Sequence, residues 1–308
     1  MTRQLEPRPK ITIGLCVKNS ERTIRKCLDS IINQDYPIGL IEIIIVDGGS
    51  EDKTLEIARN ILSDQRVVSK FFLDHGKGLG FARQIVLDNT GDKYVVWVDS
   101  DVTISKNFVR NMVEFMEEHP MVGVAVGKSV YQLNEPFTLP ASLQNLTKYI
   151  GSAEFKQTKK YRGLPPNDAS VYRVEAAKKV GGFDINIRGA SEDEDIIWRI
   201  TKRKWSVTVN EKARFHAVPR STWQSLWHES SWFGYGTHFL HHKHGEFHKS
   251  KKVPLIFFVG GIRAGVKAYK ATFKKSAFLL PIYYVFLNMA WWSGFIKAHM
   301  EDYGHEKN

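Results

Sequence analysis

Two carboxylates one residue apart, Asp99 and Asp101 in V-V-W-V-D-S-D-V, stand where an apolar, β-favouring run from Tyr94 to Val98 stops. At a strand end the chain leaves the pleat, and alternation no longer sends nearby side chains to opposite faces. The pair can then converge on one hard cation. Carboxylate oxygens beside a phosphorylated substrate are the usual setting of Mg2+ or Mn2+. An ordinary strand-to-turn junction uses the same residue types, so the meaning of the pair depends on what else the chain carries.

Several other segments have chemical potential. V-D-G-G-S-E-D-K-T, Val46 to Thr54, follows an apolar run and opens a helix. Gly48 and Gly49 let backbone approach a ligand, and Asp47 can accept hydrogen bonds from a base or sugar. Gly76-Lys77-Gly78-Leu79-Gly80 is glycine-rich but is not a P-loop, because no Ser or Thr follows the lysine. Lys77 and Arg83 are suited to neutralising phosphate, with a solvated basic turn as the alternative. Glu192-Asp193-Glu194-Asp195 precedes the helical I-I-W-R-I. There the four acids complement a helix dipole, and their crowding raises at least one pKa toward that of a general base. His216, after R-F, is a candidate metal ligand or phosphate contact, although a lone His is more often structural. His238, His241, His242, His244 and His248 offer i,i+4 pairs of the kind zinc uses. With no cysteine nearby and many lysines, they read as a polar face at a membrane surface.

The elements that must position these groups alternate. Lys10 to Val17, Ile41 to Val46, Val67 to Leu73 and Tyr94 to Val98 read as strands. Between them lie helices over Ser20 to Asn33, from Ser50 onward, and over Leu79 to Leu87. Another follows Ser105 and reaches Glu118. Ser50 and Ser105 are the expected caps. This βαβα order predicts a doubly wound, mostly parallel α/β sheet, with ligands beyond the carboxyl ends of its strands. The alternation stops after Val130. Pro136 to Gln157 reads as loop and helix, Arg162 to Asp168 as irregular, and Ser206 to Val209 as a short strand.

Length and composition suit a globular α/β protein: 308 residues, 43% hydrophobic and 25% charged. Two cysteines, Cys16 and Cys27, are too few for a disulfide framework and fit a reducing compartment. Met1 to Lys10 shows no signal peptide, so a cytoplasmic location is expected. The net charge of +11 is concentrated: His241 to Asn308 carries eleven Lys/Arg against four acids, or +7. A local excess of this kind calls for an anionic partner, lipid or nucleic acid.

Taken together, I-T-I-G-L-C-V-K-N, I-I-I-V-D-G-G-S-E-D-K-T, A-R-Q, V-D-S-D, V-G-G-F-D, S-E-D-E-D-I-I-W-R and R-F-H resemble family 2 glycosyltransferases of the GT-A fold, from about Lys10 to His216. The resemblance implies an inverting transferase that uses a nucleotide-sugar donor. It implies a metal-binding D-x-D in Asp99 and Asp101, a base contact in Asp47, a catalytic base in Asp193 and a metal or diphosphate contact in His216. On this reading Asn19, Asp47, Lys77, Arg83, Asp99 and Ser100 form the donor side. Asn167, Asp168, Glu192 and Trp227 are acceptor-side candidates. Two positions depart from the family pattern. Its Asn after Ala-Arg is Gln84, and the Q-x-x-R-W of processive polymerases survives only as Gln224 to Trp227, which argues against long-chain polymerisation.

Ser276 to Ile296 carries no charge and is flanked by Lys274/Lys275 and Lys297. As a helix it is about 31 Å long, close to the hydrocarbon thickness. Trp291 and Trp292 near one end resemble interfacial anchors. Upstream, Arg263, Lys267, Lys270 and Lys274 form a basic stripe beside Leu255 to Val259, Ile262, Tyr269 and Phe273. This pattern suits a helix in the membrane interface. Membrane attachment is the favoured reading of both segments, with a helical hairpin packed on the catalytic domain or on a second subunit as the alternative.

The expectation is a GT-A catalytic domain over 1–220, with a nucleotide-sugar half to about 130 and an acceptor half over 131–220, followed by a membrane-associated helical region over 221–308. Its partners would be a nucleotide-sugar donor, a glycan or polyprenol-linked acceptor and membrane lipid, with Mn2+ or Mg2+ as cofactor and no nucleic acid. The alternatives are a sugar-1-phosphate nucleotidyltransferase, which lacks support because Ile11 to Asn19 has no glycine-rich loop, and a non-catalytic membrane-bound scaffold.

Overall fold

The computed structural model describes residues 8–63, 67–133, 136–158, 167–245 and 254–304. His248, Lys249, Lys251, Lys252 and most of Arg162 to Asp168 lie outside them. Contacts divide the chain into two units. The first comprises 1–130, 164–188 and 192–217. The second comprises 131–163, 189–191 and 218–308.

The first unit holds β1 (Ile11–Val17), α1 (Ile24–Ile32), β2 (Ile41–Asp47), α2 (Thr54–Ser63), β3 (Val68–Leu73), α3 (Leu79–Asn89), β4 (Tyr94–Val98), β5 (Val102–Ile104), α4 (Phe108–Glu118) and β6 (Val122–Ser129). After α5 (Leu139–Thr158), which belongs to the second unit, come β7 (Ala169–Arg173), α6 (Val174–Lys178), α7 (Glu192–Lys202) and β8 (Ser206–Ala217). The eight strands form one sheet in the order β3-β2-β1-β4-β7-β6-β8-β5. Pairs β1–β2, β1–β4, β2–β3 and β6–β8 are parallel, whereas β4–β7, β6–β7 and β5–β8 are antiparallel. The expected parallel half is therefore β3-β2-β1-β4, and β7 reverses direction beside it.

Alternation along the strands divides two buried layers. On β4, Tyr94, Val96 and Val98 join one core cluster, while Val95 and Trp97 join the other. On β2, Ile41, Ile43 and Ile45 face the first layer, and Ile44 and Val46 the second. Helices cover both faces, which is why these strands read as unbroken apolar runs. The expected face of α1 (Ile24, Cys27, Leu28 and Ile31) is buried.

Local signals misplace some boundaries. The helix expected from Ser20 starts at Ile24. α2 starts at Thr54, not after Ser50. The Ser50 hydroxyl donates instead to Asp47 (2.5 Å), and the Asp52 carboxylate meets the helix start by accepting from the Thr54 N–H (3.0 Å). The residue flanking the start of α4 is Asn107, while Ser105 contributes its carbonyl to the Phe108 N–H. β8 runs on to Ala217, far past the expected Val209, because β6 and β5 both pair with it.

The second unit contains α5, α8 (Trp223–His244), α9 (Pro254–Thr272) and α10 (Leu280–Met300), with a 3-10 turn over Lys275–Leu279. Its core is built from Leu143, Leu146, Leu226, Ala268, Leu280 and Tyr283. Thr222 and Ser225 close a reciprocal capping box at the start of α8. Glycines set the helix crossings. A Cβ on Gly234 would lie 1.9 Å from the Trp291 carbonyl oxygen, and one on Gly294 would lie 1.8 Å from that of Ser231. α8 and α10 therefore touch backbone to backbone.

Candidate active site

The β2 carboxyl end is built by Asp47, which is 1% exposed. One carboxylate oxygen accepts from the Gly49 and Ser50 N–H groups (3.1 and 2.9 Å), and the other from the Ser50 hydroxyl. Gly49 takes φ +81°, a conformation that side chains resist. Asn19, at φ 48°, ties the end of β1 to the same loop: its amide oxygen accepts from the Glu51 N–H (2.9 Å), and its N–H donates to the Ser50 hydroxyl (3.0 Å). Asn19 and Asp47 are thus brought into one hydrogen-bonded loop.

Asp99 and Asp101 flank Ser100 where β4 ends. The Ser100 hydroxyl lies 2.7 Å from that of Ser20, which links the D-S-D turn to the β1 end. The backbone of Asp99 donates to the Asp168 carbonyl (3.0 Å), extending the antiparallel register in which Val98 faces Ala169. Packing at the strand end and the negative charges of Asp168, Asp101 and Glu192 raise the Asp99 carboxyl well above the ordinary range, against the pull of Arg83. The Asp99 side chain remains 44% exposed, so a ligand can reach it.

Arg83, on α3, is 4% exposed. Its Nη2 donates to Asp99 Oδ1 (3.4 Å), and its Nε lies 3.0 Å from Glu192 Oε1. The guanidinium sits 5.0 Å from the Trp97 ring centre and 5.9 Å from that of Phe183. Nε and Nη1 have no aligned hydrogen-bond acceptor among the described residues. The cation is thus held between the Asp99 and Glu192 carboxylates, with Nη1 lacking an acceptor among the described residues.

The tertiary environment sorts the acidic run at the start of α7. Glu192 is buried against Arg83, and burial pushes its pKa up to about 8, with Arg83 opposing and Asp193 adding to the rise. Asp195 is fully buried and bound by Arg199. Asp193 is half-buried. One oxygen accepts from the Glu194 N–H (2.8 Å), and its charge acts on Arg83, Glu192 and Tyr172.

His216 pairs with Thr103 across β5–β8, on the strand that follows the D-S-D turn directly. Its Nδ1 lies 3.1 Å from the Val130 carbonyl. With Nδ1 as the donor there, Nε2 keeps its lone pair. Asn167 is buried and donates to the Tyr172 hydroxyl (2.8 Å). Lys77 is exposed, with its ammonium 4.4 Å from the Phe81 ring centre. The glycines around it serve packing: a Cβ on Gly78 would lie 2.6 Å from Arg188 Cα, and one on Gly80 would lie 2.3 Å from the Asp184 oxygen. Trp227 belongs to α8 in the second unit, where its ring meets Phe286 (5.4 Å).

The sequence profile described as Glycosyl transferase family 2 matches residues 12–181, more than half of the chain. The chain belongs to glycosyl transferase family 2. Glycosyltransferase GlyA of Streptococcus pneumoniae is 38% identical over 127 residues, covering 41% of this chain and 17% of that protein. Succinoglycan biosynthesis protein ExoA of Rhizobium meliloti is 28% identical over 214 residues, covering 65% and 62%. The chain spans less than half the length of the first curated relatives it matches. Among solved structures, the mannosyltransferase PcManGT of Pyrobaculum calidifontis, in complex with GDP-Man and Mn2+, superposes with a TM-score of 0.64 at 17% identity, over 96% of this chain and 88% of that one. Staphylococcus aureus TarS 1–349 in complex with UDP-GlcNAc gives 0.52 at 17% identity, over 97% and 93%. These likenesses establish the fold, a GT-A-type mixed α/β sheet.

Two residues that shape this family 2 site, Trp97 and Gly14, escaped the sequence reading, and Gln84 reads there only as a departure from the family pattern. Trp97 is 2% exposed and carries Arg83 on its ring, and Gly14 on β1 makes room for it, since a Cβ there would lie 2.7 Å from the indole. Gln84 accepts from the Phe183 N–H (2.7 Å) and fills the space over Gly182, so the departure from Asn builds the G-G-F turn. Hydropathy alone marks Trp97 as core. Only the neighbouring arginine reveals its second use.

Proposed function

We propose that this family 2 chain is an inverting glycosyltransferase that moves a sugar from a nucleotide-sugar donor to a hydroxyl acceptor. The observation that carries this reading is the oxygen-rich cluster of Asp99, Asp101 and Asp168 beside buried Arg83. Clustered carboxylate oxygens fit Mg2+ or Mn2+. Asp99 and Asp101 are the proposed ligands, with His216 as a further candidate. When bound, the ion offsets charge on the departing nucleoside diphosphate.

Arg83 contributes positive charge on the diphosphate side, with Nη1 as its donor lacking an acceptor among the described residues, and Lys77 adds positive charge at the rim. Asn19, Asp47 and Ser100 define the nucleoside end. Asp193 takes the proton of the acceptor hydroxyl as its oxygen attacks the anomeric carbon from the face opposite the leaving group. Its half-exposed position favours it over Glu192, which is buried against Arg83. Asn167, Asp168 and Glu192 are assigned to the acceptor side.

We place the enzyme at the cytoplasmic face of a membrane, with 1–220 catalytic and 221–308 the attachment region. Its acceptor is a glycan or polyprenol-linked sugar. Lys275–Met300 is long and apolar enough to cross a bilayer. On α9, Ile256, Val259, Ile262 and Val266 are exposed beside Arg263, Lys267 and Lys270. That combination favours attachment in the interface.

The test combines binding and turnover. Asp101→Ala is expected to weaken nucleoside diphosphate binding in Mn2+ without unfolding the protein. Asp193→Asn is expected to lower transfer by about 10²–10⁴-fold while donor binding persists. Equal affinity in wild type and Asp101→Ala, with or without EDTA, would overturn the metal assignment. Normal turnover of Asp193→Asn with loss in Glu192→Gln would transfer the base role to Glu192.

A further inference from the structure

Helices α8 and α10 bring together three imidazoles that the sequence does not align. His238 and His242 share a face of α8 at i,i+4, and His299 projects from the last turn of α10. One ring nitrogen from each lies within 4.8 Å of the other two. We propose that His238, His242 and His299 form a site for a Zn2+-class transition ion, separate from the carboxylate site of the catalytic unit.

The geometry carries this assignment. His238 is fully buried, and its Nδ1 lies 2.7 Å from the Tyr303 carbonyl oxygen. Donation from Nδ1 to that carbonyl fixes the tautomer and turns the Nε2 lone pair toward the other two rings. This is the second-shell arrangement that metal-bound histidines use. His238 Nε2 lies 3.3 Å from His299 Nδ1. That separation is within reach of a ring-to-ring hydrogen bond. It matches the edge of a tetrahedron with Zn–N bonds of about 2.0–2.1 Å, which is about 3.3–3.4 Å. His242 and His299 are exposed, so small side-chain rotations can bring the longer nitrogen separations to the same edge length.

The backbone holds the pair in place. Gly234 stands one turn before His238, and Gly294 five residues before His299. Both permit the backbone contact described above, so the helix spacing at the histidines is set by packing that no side chain can relax. The ring of Phe295 stands 4.9 Å from that of His238 and walls its apolar side. Three imidazoles, two of them on exposed residues, suit Zn2+, and Co2+ as its spectroscopic stand-in. They do not suit Mg2+ or Mn2+, which prefer oxygen. The ion would join α8 to the last turn of α10.

Untagged full-length protein is stripped with EDTA and titrated with Zn2+ by calorimetry in excess Mg2+. Co2+ is followed in parallel by its visible bands. The expected result is saturable binding of one ion per chain, a tetrahedral Co2+ spectrum and a raised thermal midpoint with Zn2+. His242→Ala and His299→Ala, both at exposed positions, should each weaken Zn2+ by more than about tenfold. Asp101→Ala should leave Zn2+ binding unchanged. The proposal is overturned if one-to-one binding is absent, or if the two histidine variants bind as tightly as wild type.

Discussion

Arg199 offers a way to disturb the catalytic unit without touching a proposed ligand-binding residue. Its Nε and Nη2 donate to Asp195 Oδ2 at 2.9 and 2.5 Å, and Nη1 and Nη2 donate to the Val180 and Gly182 carbonyls at 2.6 and 2.7 Å. The carboxylate is fully buried and the arginine is 18% exposed. At an effective dielectric of 20 the gross attraction of such a pair is about 6 kcal/mol, offset by the cost of desolvating both ions. In Arg199→Met that cost remains for Asp195 while the attraction is lost, and two turn carbonyls lose a donor. Breaking a buried pair in this way costs about 3–5 kcal/mol, a large share of the roughly 5–15 kcal/mol that holds a domain. Adding Asp195→Leu removes that buried charge and should recover part of the loss. Urea unfolding followed by tryptophan fluorescence, run as a double-mutant cycle, reads both effects. Donor affinity should fall with Arg199→Met, because the Gly182–Phe183 turn places Phe183 against Trp97, 5.4 Å centre to centre, beneath Arg83. A loss under about 1 kcal/mol, or no recovery in the double variant, would refute this reasoning.

Other outcomes follow from the same structure. Glu192 has its pKa pushed up to about 8 from an ordinary value of 4.5, so the folded state holds a proton that the unfolded state releases. Its contribution to stability is full below about pH 4.5 and is lost as pH rises through 8. Glu192→Gln should flatten that slope in urea midpoints taken from pH 5 to 8, and parallel slopes would contradict the assignment. Gly260→Ala on α9 meets nothing within 4 Å and should stabilise by up to about 1 kcal/mol, whereas Gly294→Ala should destabilise by roughly 1–3 kcal/mol in the same thermal assay. Equal signs for the two would disprove the close approach of α8 and α10. Full-length protein should float with anionic vesicles at low salt, and Lys267→Glu with Lys270→Glu should weaken this by about 1 kcal/mol per charge. A wild-type protein that ignores such vesicles would remove the membrane from the proposed function.

Local sequence determined a good deal of this protein. Strand runs bounded by Gly and Asp, the 3.6-residue spacing in α1, and the carboxylates at strand ends are all properties of short windows, so β1 to β4 and the D-S-D turn could be read directly. The tertiary structure decided what depends on distant chain. β7 pairs with β4 across some 75 residues of sequence and puts Asp168 beside Asp99, and no local pattern encodes that register. The four successive acids of α7 look alike in sequence. Burial against Arg83 and Arg199 takes up Glu192 and Asp195 and leaves Asp193 and Glu194 half-exposed. The histidine-rich run on α8 likewise gives no reason to select two of its members. The selection is made by His299, some 60 residues away, through a glycine-to-backbone contact between helices. Secondary structure follows from the period of apolar residues along the chain. The charge state and ligand geometry of a side chain follow from which distant atoms exclude water around it.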